Sequence, residues 1–308
     1  MPLPSVAVAG GTGNLGSKIV TQLLASSSLP RFRDLIVLAR AESDKTRGFQ
    51  SQGATVRVYS EDNLTKALDG VDVLINTVGP SGHHFKEKLL RALPQTSVKL
   101  YFPSEFGVDH YVHDFPHEEW DAKKKHYRLA QEVISNIRIC RVYAGLFLED
   151  SIGPWFGFDT KHGRYEAVGS PDQITSYTSM RDVGRALGVL STLDPGKVPE
   201  QVHLSGDSKS MAQVARIMEE ASGEKEGGIE VTSVPLAEYK ADVFANPRPT
   251  PERYLRFLMA EGLIDHTEKG LGNDNALVEG AEGFGRWQSL KDLAGETGGK
   301  PWGDAEWP

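Results

Sequence analysis

The stretch Ser5-Val-Ala-Val-Ala-Gly-Gly-Thr-Gly-Asn-Leu-Gly16 decides the fold. Val6 to Ala9 is a short apolar run of the kind buried on both faces of a parallel sheet. Gly10, Gly13 and Gly16 follow at three-residue spacing, and Ile19, Val20, Leu23 and Leu24 then recur on one helical face. Strand, glycine turn and helix, in that order, are the context a dinucleotide fingerprint needs. Gly10 permits a sharp turn, Gly13 a close backbone approach to a pyrophosphate, and Gly16 close packing of helix on strand. Thr12, Asn14 and Leu15 complete the turn and the first helical residues, where free N–H groups and a partial positive charge suit phosphate.

Outward from this stretch, strand and helix patterns alternate. Further apolar runs occupy Leu35 to Ala39, Thr55 to Tyr59, Val71 to Ile75, Val98 to Phe102 and Ile137 to Val142, with helical spacing over Phe85 to Leu93 and Trp120 to Ile134. The alternation predicts an α/β fold, a Rossmann-type doubly wound parallel sheet with helices on both faces. Ligands of such sheets bind beyond the carboxyl ends of the strands. From Leu148 the rhythm changes to glycine, proline and aromatic residues, with helical patterns at Arg181 to Leu190, Met211 to Ala221 and Glu252 to Glu261 and a short strand at Val202 to Ser205. The expected division is a dinucleotide-binding domain over 1–147 and a smaller substrate lobe over 148–308, interleaved with the first. Trp287, Trp302 and Trp307 in the glycine-rich acidic tail suggest that it docks on the body.

Composition sets limits on partners. A formal net charge of −8 argues against nucleic acid or an anionic membrane surface. Cys140 is the single cysteine and sits in an apolar run, so it reads as core, and no disulfide framework within the chain is available. No apolar run reaches membrane-spanning length, and the chain enters a strand with no signal-peptide pattern. The expectation is a cytoplasmic protein, monomer or homodimer, that takes a small-molecule substrate.

The second strand ends at Ala39-Arg40, with Lys45 and Arg47 beyond it, where a site for the non-phosphorylated dinucleotide offers an acidic side chain. A guanidinium there suits a 2′-phosphate through bidentate hydrogen bonds, which predicts NADPH/NADP+ held by Arg40 and Lys45. After the fourth strand, Thr77, Val78 and Gly79 are small enough for the adenosine half to pass close to the backbone.

The fifth strand runs into Phe102-Pro-Ser-Glu-Phe-Gly107, and the next helix opens Trp120-Asp-Ala-Lys-Lys-Lys-His-Tyr127. With the glycine motif and Arg40, these residues resemble the NmrA-like, isoflavone reductase-like group of atypical short-chain dehydrogenases. The resemblance continues more weakly through Val202-His-Leu-Ser-Gly-Asp207 and Val234-Pro-Leu-Ala-Glu-Tyr239. It implies a lysine as general acid or base in place of the usual tyrosine and lysine pair; Tyr127 is followed four residues on by Gln131. Lys123, Lys124 and Lys125 compete for that role. Lys123 shares the helical face of Trp120, Tyr127, Ala130 and Ile134, while Lys124 lies about 100° round the helix. The catalytic expectation is therefore Lys123. Ser104 and Phe106, just past the fifth strand, join the expected cofactor contacts, and the resemblance adds Tyr143, at the end of the sixth, against the nicotinamide.

Other constellations carry less. His110-Tyr-Val-His-Asp-Phe-Pro-His117 contains metal-ligating residue types, but its spacing matches no closed zinc pattern and Pro116 breaks any helix that would align them. No metal is expected, and the stretch reads as a loop bordering the substrate site. Gly145 and Phe147 are expected beside the pocket, and Trp155, Phe156, Phe158 and Tyr177 are candidates either for its lining or for the core. The expected function is an NADPH-dependent reductase of a small, largely apolar, aromatic or polyketide-like carbonyl or activated alkene, a substrate class the resemblance implies. The alternative is a non-catalytic dinucleotide sensor that acts through a protein partner; sensors of the resembled kind tend to lack the lysine.

Overall fold

The computed structural model describes residues 2–25, 31–223, 228–248, 250–282 and 284–305. The quoted stretch forms strand β1 (Ser5–Ala9) and helix α1 (Asn14–Ala25), followed by β2 (Asp34–Ala39), α2 (Asp44–Ser51) and β3 (Thr55–Val58). Then come α3 (Leu64–Ala67), β4 (Val73–Asn76), α4 (His83–Ala92), β5 (Leu100–Phe102), α5 (Glu118–Val133) and β6 (Arg138–Ile139). The strands pair in the order β3-β2-β1-β4-β5-β6, every neighbour parallel. This is a Rossmann-type sheet, and its strand order reverses between β1 and β4, where such sheets open a ligand crevice.

All five residues of β1 are buried, and they alternate between two cores. Val6 and Val8 pack with Ile19 and Val20 on one face, while Ala7 and Ala9 meet Leu89, Leu90 and Ala130 on the other. This two-sided burial explains why β1 reads as a continuous apolar run and not as an alternating one.

The apolar run Ile137 to Val142 is shared between two partners. Cys140 donates its N–H to the Tyr101 carbonyl of β5, and Arg141, the next residue, donates to Glu200 on the far side. Its second part is β7 (Arg141–Tyr143), and β8 (Leu146–Phe147), α6 (Leu148–Ser151), β9 (Phe158–Asp159), β10 (Arg164–Val168) and β11 (Ile174–Thr178) follow. The chain then makes α7 (Met180–Leu190), β12 (Gln201–His203), β13 (Asp207–Ser210), α8 (Met211–Ser222), β14 (Glu230–Val234), α9 (Leu236–Ala245), α10 (Glu252–Ala260) and α11 (Leu290–Thr297).

Two of these later elements belong to the first body. β12 pairs in parallel with β7 and extends the layer, and α7 lies along α1. The approach is close because α7 carries Gly184: a Cβ there would lie 3.0 Å from both the Gln22 Cβ and the Ile19 Cα. The remainder forms two three-stranded sheets, β14-β10-β9 and β13-β11-β8, around a third core that includes Phe158, Tyr165, Tyr177, Val214 and Phe257. Cys140 is fully buried, and burial pushes its thiol up to about 12. Among the described residues no helix is long and apolar enough to cross a membrane.

Candidate active site

At the end of β1 the chain turns through Gly10 in the left-handed region, with φ of 78°. A side chain there would meet the Thr77 carbonyl carbon, Thr77 Oγ1 and Val78 N at 2.9 Å each, so glycine is required twice over. Gly16 is tighter still: its Cβ would lie 2.2 Å from the Gly10 carbonyl oxygen. A Cβ on Gly13, by contrast, would meet the Gly10 oxygen alone, at 3.2 Å, which leaves the outer face of the turn open. Gly13 N donates to the Gly10 carbonyl at 2.9 Å, and α1 starts one residue later with no acidic side chain in its first turn. Thr77 fastens the neighbouring strand end, its N and Oγ1 both donating to the Ala9 carbonyl at 2.8 Å. An anion-accepting helix end beside an open glycine turn, at the point where strand order reverses, fits a dinucleotide pyrophosphate.

Arg40 sits exposed just past β2 and forms no ion pair among the described residues; its charge is felt by Tyr59. Lys45 donates from Nζ to the Thr12 carbonyl at 2.9 Å and so ties α2 to the glycine turn. Arg47 is engaged by Asp44 on its own helix. Lys45 therefore stands against the glycine turn, and Arg40 follows the strand that pairs with β1. Further along the crevice, Val78 N donates to Asn76 Oδ1, and Ser104 Oγ donates to the Val78 carbonyl at 2.9 Å. Gly79 has nothing within reach of an added Cβ.

A cleft of about 580 Å³ opens beside this crevice. Gly107, Trp120, Lys123, Phe147, Trp155, Phe156, Leu255 and Trp302 are among its lining residues. Lys123 projects from α5 with Trp120, as the helical spacing predicts, and its Nζ lies 3.6 Å from Glu119 Oε1 one turn earlier. Lys124 instead donates to the His113 carbonyl at 3.2 Å, and Lys125 is exposed. Gly145 also lines the cleft; at φ of 68°, its Cβ would fall 2.4 Å from the Ser176 carbonyl.

Beneath Lys123 lies a buried polar group that sequence reasoning did not single out. Glu105, at the centre of the Pro-Ser-Glu-Phe-Gly run, is 2% exposed, and Oε2 has no hydrogen-bond partner. Burial pushes its carboxyl up to about 7, opposed by the charges of Lys123, Arg141 and Lys86. His110 Nε2 lies 3.4 Å from Glu105 Oε2, and burial, with help from Lys123, holds the imidazole down to about 3. Lys86 of α4 is also buried, and burial together with Lys123 lowers its ammonium to about 8. The arrangement is a buried carboxyl whose ionisation burial opposes, against an imidazole that burial keeps from protonating, with Lys86 and Lys123 close by.

The remaining expected residues divide between site and core. Phe106 is buried within the first core. Tyr143 is fully buried: its hydroxyl accepts from Arg141 Nη1 at 3.1 Å and its ring stacks on His203. Trp155 and Phe156 line the cleft, whereas Phe158 and Tyr177 are core. The 110–117 stretch is a packed layer of rings, His113 stacked on Phe115 and His117 on Trp120 at 4.0 Å each. Asp109 is taken by His203 Nε2 at 3.1 Å. No group of three or more His, Cys, Asp or Glu side chains among the described residues is arranged to hold a metal ion. In the tail, Trp287 Nε1 donates to Glu279 and Trp302 Nε1 to the Glu149 carbonyl, while Trp307 lies outside the described residues. Glu119, Leu255 and Trp302 reach the cleft from three separate segments, and no local pattern in the sequence marks that convergence.

A family model described as the NmrA-like family matches residues 4–263. Eugenol synthase 1 of Petunia hybrida is 34% identical over 113 residues, which span 34% of this chain and 36% of that protein. An isoflavone reductase-like protein of Olea europaea is 32% identical over 111 residues, with the same shares of the two chains. The chain thus matches about a third of the length of these curated relatives. The fold superposes on leucoanthocyanidin reductase of Vitis vinifera, solved as a binary complex with NADPH, with a TM-score of 0.76 at 17% identity over 96% of this chain and 99% of that one. At that identity the likeness establishes a shared fold.

Proposed function

The chain belongs to the NmrA-like family, and from that membership we propose that it is an NADPH-dependent reductase of a small, largely apolar, aromatic carbonyl or activated alkene. The observation that carries the proposal is Lys123, an ammonium in the wall of an aromatic cleft at the carboxyl end of the parallel sheet. The names of similar proteins, eugenol synthase and isoflavone reductase-like protein among them, support the aromatic substrate class.

The proposed cofactor contacts are Gly10, Thr12, Gly13, Asn14, Leu15 and Gly16 for the pyrophosphate, with Arg40 and Lys45 for the 2′-phosphate. Thr77, Val78 and Gly79 flank the adenosine half with Ser104 beyond β5, while the buried Phe106 and Tyr143 back the crevice from within the core. NADPH, when bound, supplies the hydride. Lys123 holds a proton at Nζ and donates it, or a hydrogen bond, to negative charge developing on the substrate oxygen. Glu119, one turn away, keeps that ammonium directed along the cleft wall. Trp120, Phe147 and Phe156 exclude water around the reacting atoms, which strengthens the ammonium's interaction with the charge it stabilises. The proposal extends to a cytoplasmic monomer or homodimer acting on small molecules.

Tryptophan fluorescence titration with NADPH and NADH, on the wild type and on Arg40→Ala, tests the cofactor assignment. NADPH is expected to bind the variant about tenfold to a hundredfold more weakly, with NADH little changed, because a charge-assisted bidentate contact is lost. A wild type that binds neither NADPH nor NADH overturns the proposal. Tight NADPH binding without consumption of NADPH across a panel of aromatic enals and ketones favours the sensor reading instead.

A further inference from the structure

Two indoles meet at the mouth of the cleft, one from each end of the second half. Trp155 follows α6, and Trp302 comes from the tail, beyond the stretch 4–263 that matches the family model. Their ring centroids are 5.0 Å apart at an interplanar angle of 73°, an edge-to-face pair. Both indole N–H groups are anchored to consecutive carbonyls of α6: Trp302 Nε1 donates to Glu149 at 2.9 Å and Trp155 Nε1 to Asp150 at 2.8 Å. The polar edges are thereby satisfied, and what remains available to a ligand is aromatic surface.

The tail is shaped to deliver Trp302 to this point. α11 ends in Gly298 and Gly299, both with positive φ, and a Cβ on Gly299 would lie 2.2 Å from the Met218 carbonyl. Trp302 itself has φ of 55°, a left-handed conformation rare for a bulky residue, yet it is 45% exposed. The left-handed backbone of Trp302 is held by its hydrogen bond to Glu149 and its contact with Trp155, while nearly half of its surface stays open beside the cleft, a combination found at ligand clamps. Charge around the cleft narrows the ligand further. Among the described residues Glu119, Asp150 and Glu252 line it with Lys123, while Lys86 and Lys18 stand behind Glu119 and Asp150, so the lining itself offers more carboxylates than ammonium groups and favours an uncharged ligand.

We propose that Trp302, paired with Trp155, is a specificity-determining residue that clamps an uncharged planar ring of the substrate at the mouth of the cleft. The inference rests on the reductase reading and extends it to a selection rule: neutral and planar over neutral and puckered, and neutral over anionic.

The test compares naphthalenemethanol, decahydronaphthalenemethanol and naphthoate by calorimetry on the full-length chain, with and without saturating NADPH. Wild type is expected to prefer naphthalenemethanol over both others. Trp302→Ala is expected to lose about three- to tenfold in affinity for it while binding the puckered alcohol as before, and Trp302→Phe to recover most of the loss. NADPH affinity should be equal in all three proteins, which separates a clamp from damage to the fold. Equal affinity of wild type and Trp302→Ala for naphthalenemethanol overturns the clamp, as does a wild type that does not distinguish the planar alcohol from the puckered one. Ring-selective binding that depends on Trp302 without any NADPH turnover leaves the clamp standing and removes the reductase reading; turnover of aromatic carbonyls indifferent to Trp302 does the reverse.

Discussion

Lys123 differs from its two neighbours by position alone. It lines the cleft beside Glu119, while Lys124 is spent on the His113 carbonyl and Lys125 faces water. Lys123→Met, which keeps the length and apolar stem of the side chain, is expected to lower NADPH-dependent turnover about a hundredfold or more, the usual scale for a positioned proton donor. NADPH should still bind, and Lys124→Met and Lys125→Met should retain turnover; consumption of NADPH in single turnovers measures all three. Glu105 gives a prediction of a different kind. Its carboxyl ionises near 4.5 when unfolded and about 7 when folded. The unfolded state therefore holds fewer protons in that interval, and the group's contribution to stability is lost as pH climbs from about 4.5 to about 7. Glu105→Gln removes this titration. The variant is expected to match the wild type in acid and to exceed it by on the order of 3 kcal/mol above neutrality, read as the difference in melting temperature across pH.

At the scale of elements, the glycine turn separates packing from ligand approach. Gly16→Ala drives a methyl group to within 2.2 Å of the Gly10 carbonyl and forces α1 off β1. A cost of about 3 kcal/mol or more is expected, with NADPH binding lost along with thermal stability. Gly13→Ala meets only the Gly10 carbonyl oxygen, at 3.2 Å, which has to give by a few tenths of an ångström, so the melting temperature should fall far less than in Gly16→Ala while NADPH affinity falls; fluorescence titration beside thermal melting distinguishes the two. These elements were legible in the sequence because burial on both faces makes β1, β2 and β4 continuous apolar runs, and because α1, α5, α7 and α8 carry apolar residues at helical spacing. The limits moved by a residue or two, as at β4, expected over 71–75 and found at Val73–Asn76. Of the small strands of the second half, β12 was legible as the run 202–205, and the others were not. β8 and β9 have two residues each, and β14 buries too little for its side chains to alternate in polarity. That Lys123 faces the same way as Trp120 was legible from helical spacing; the place of Trp302 was not, because it depends on contacts with Glu149 and Trp155, far away in sequence.

At the scale of the molecule, the first body cannot be completed by the first half of the chain. Val183, Ala186, Leu187 and Leu190 of α7 and Val202 of β12 are buried in the same core as Val6, Val8 and Ile19. A fragment of residues 1–147 leaves that face of α1 and the edge of β7 uncovered, so it is expected to be poorly folded, with a shallow or absent thermal transition by circular dichroism. The full chain should unfold in one step, and NADPH should raise its midpoint, since the ligand binds the folded state alone. A fragment that melts cooperatively and binds NADPH would contradict this dependence.

The edge-to-face indoles at the cleft mouth also have an optical consequence. Two identical chromophores, 5.0 Å apart and inclined at 73°, share their excitations. Their coupling adds to the near-ultraviolet dichroism a contribution set by the separation and mutual orientation of the two rings. Anything that enters between them, or any drift of the tail, rewrites that signal. The chain therefore carries an unlabelled reporter of its own cleft.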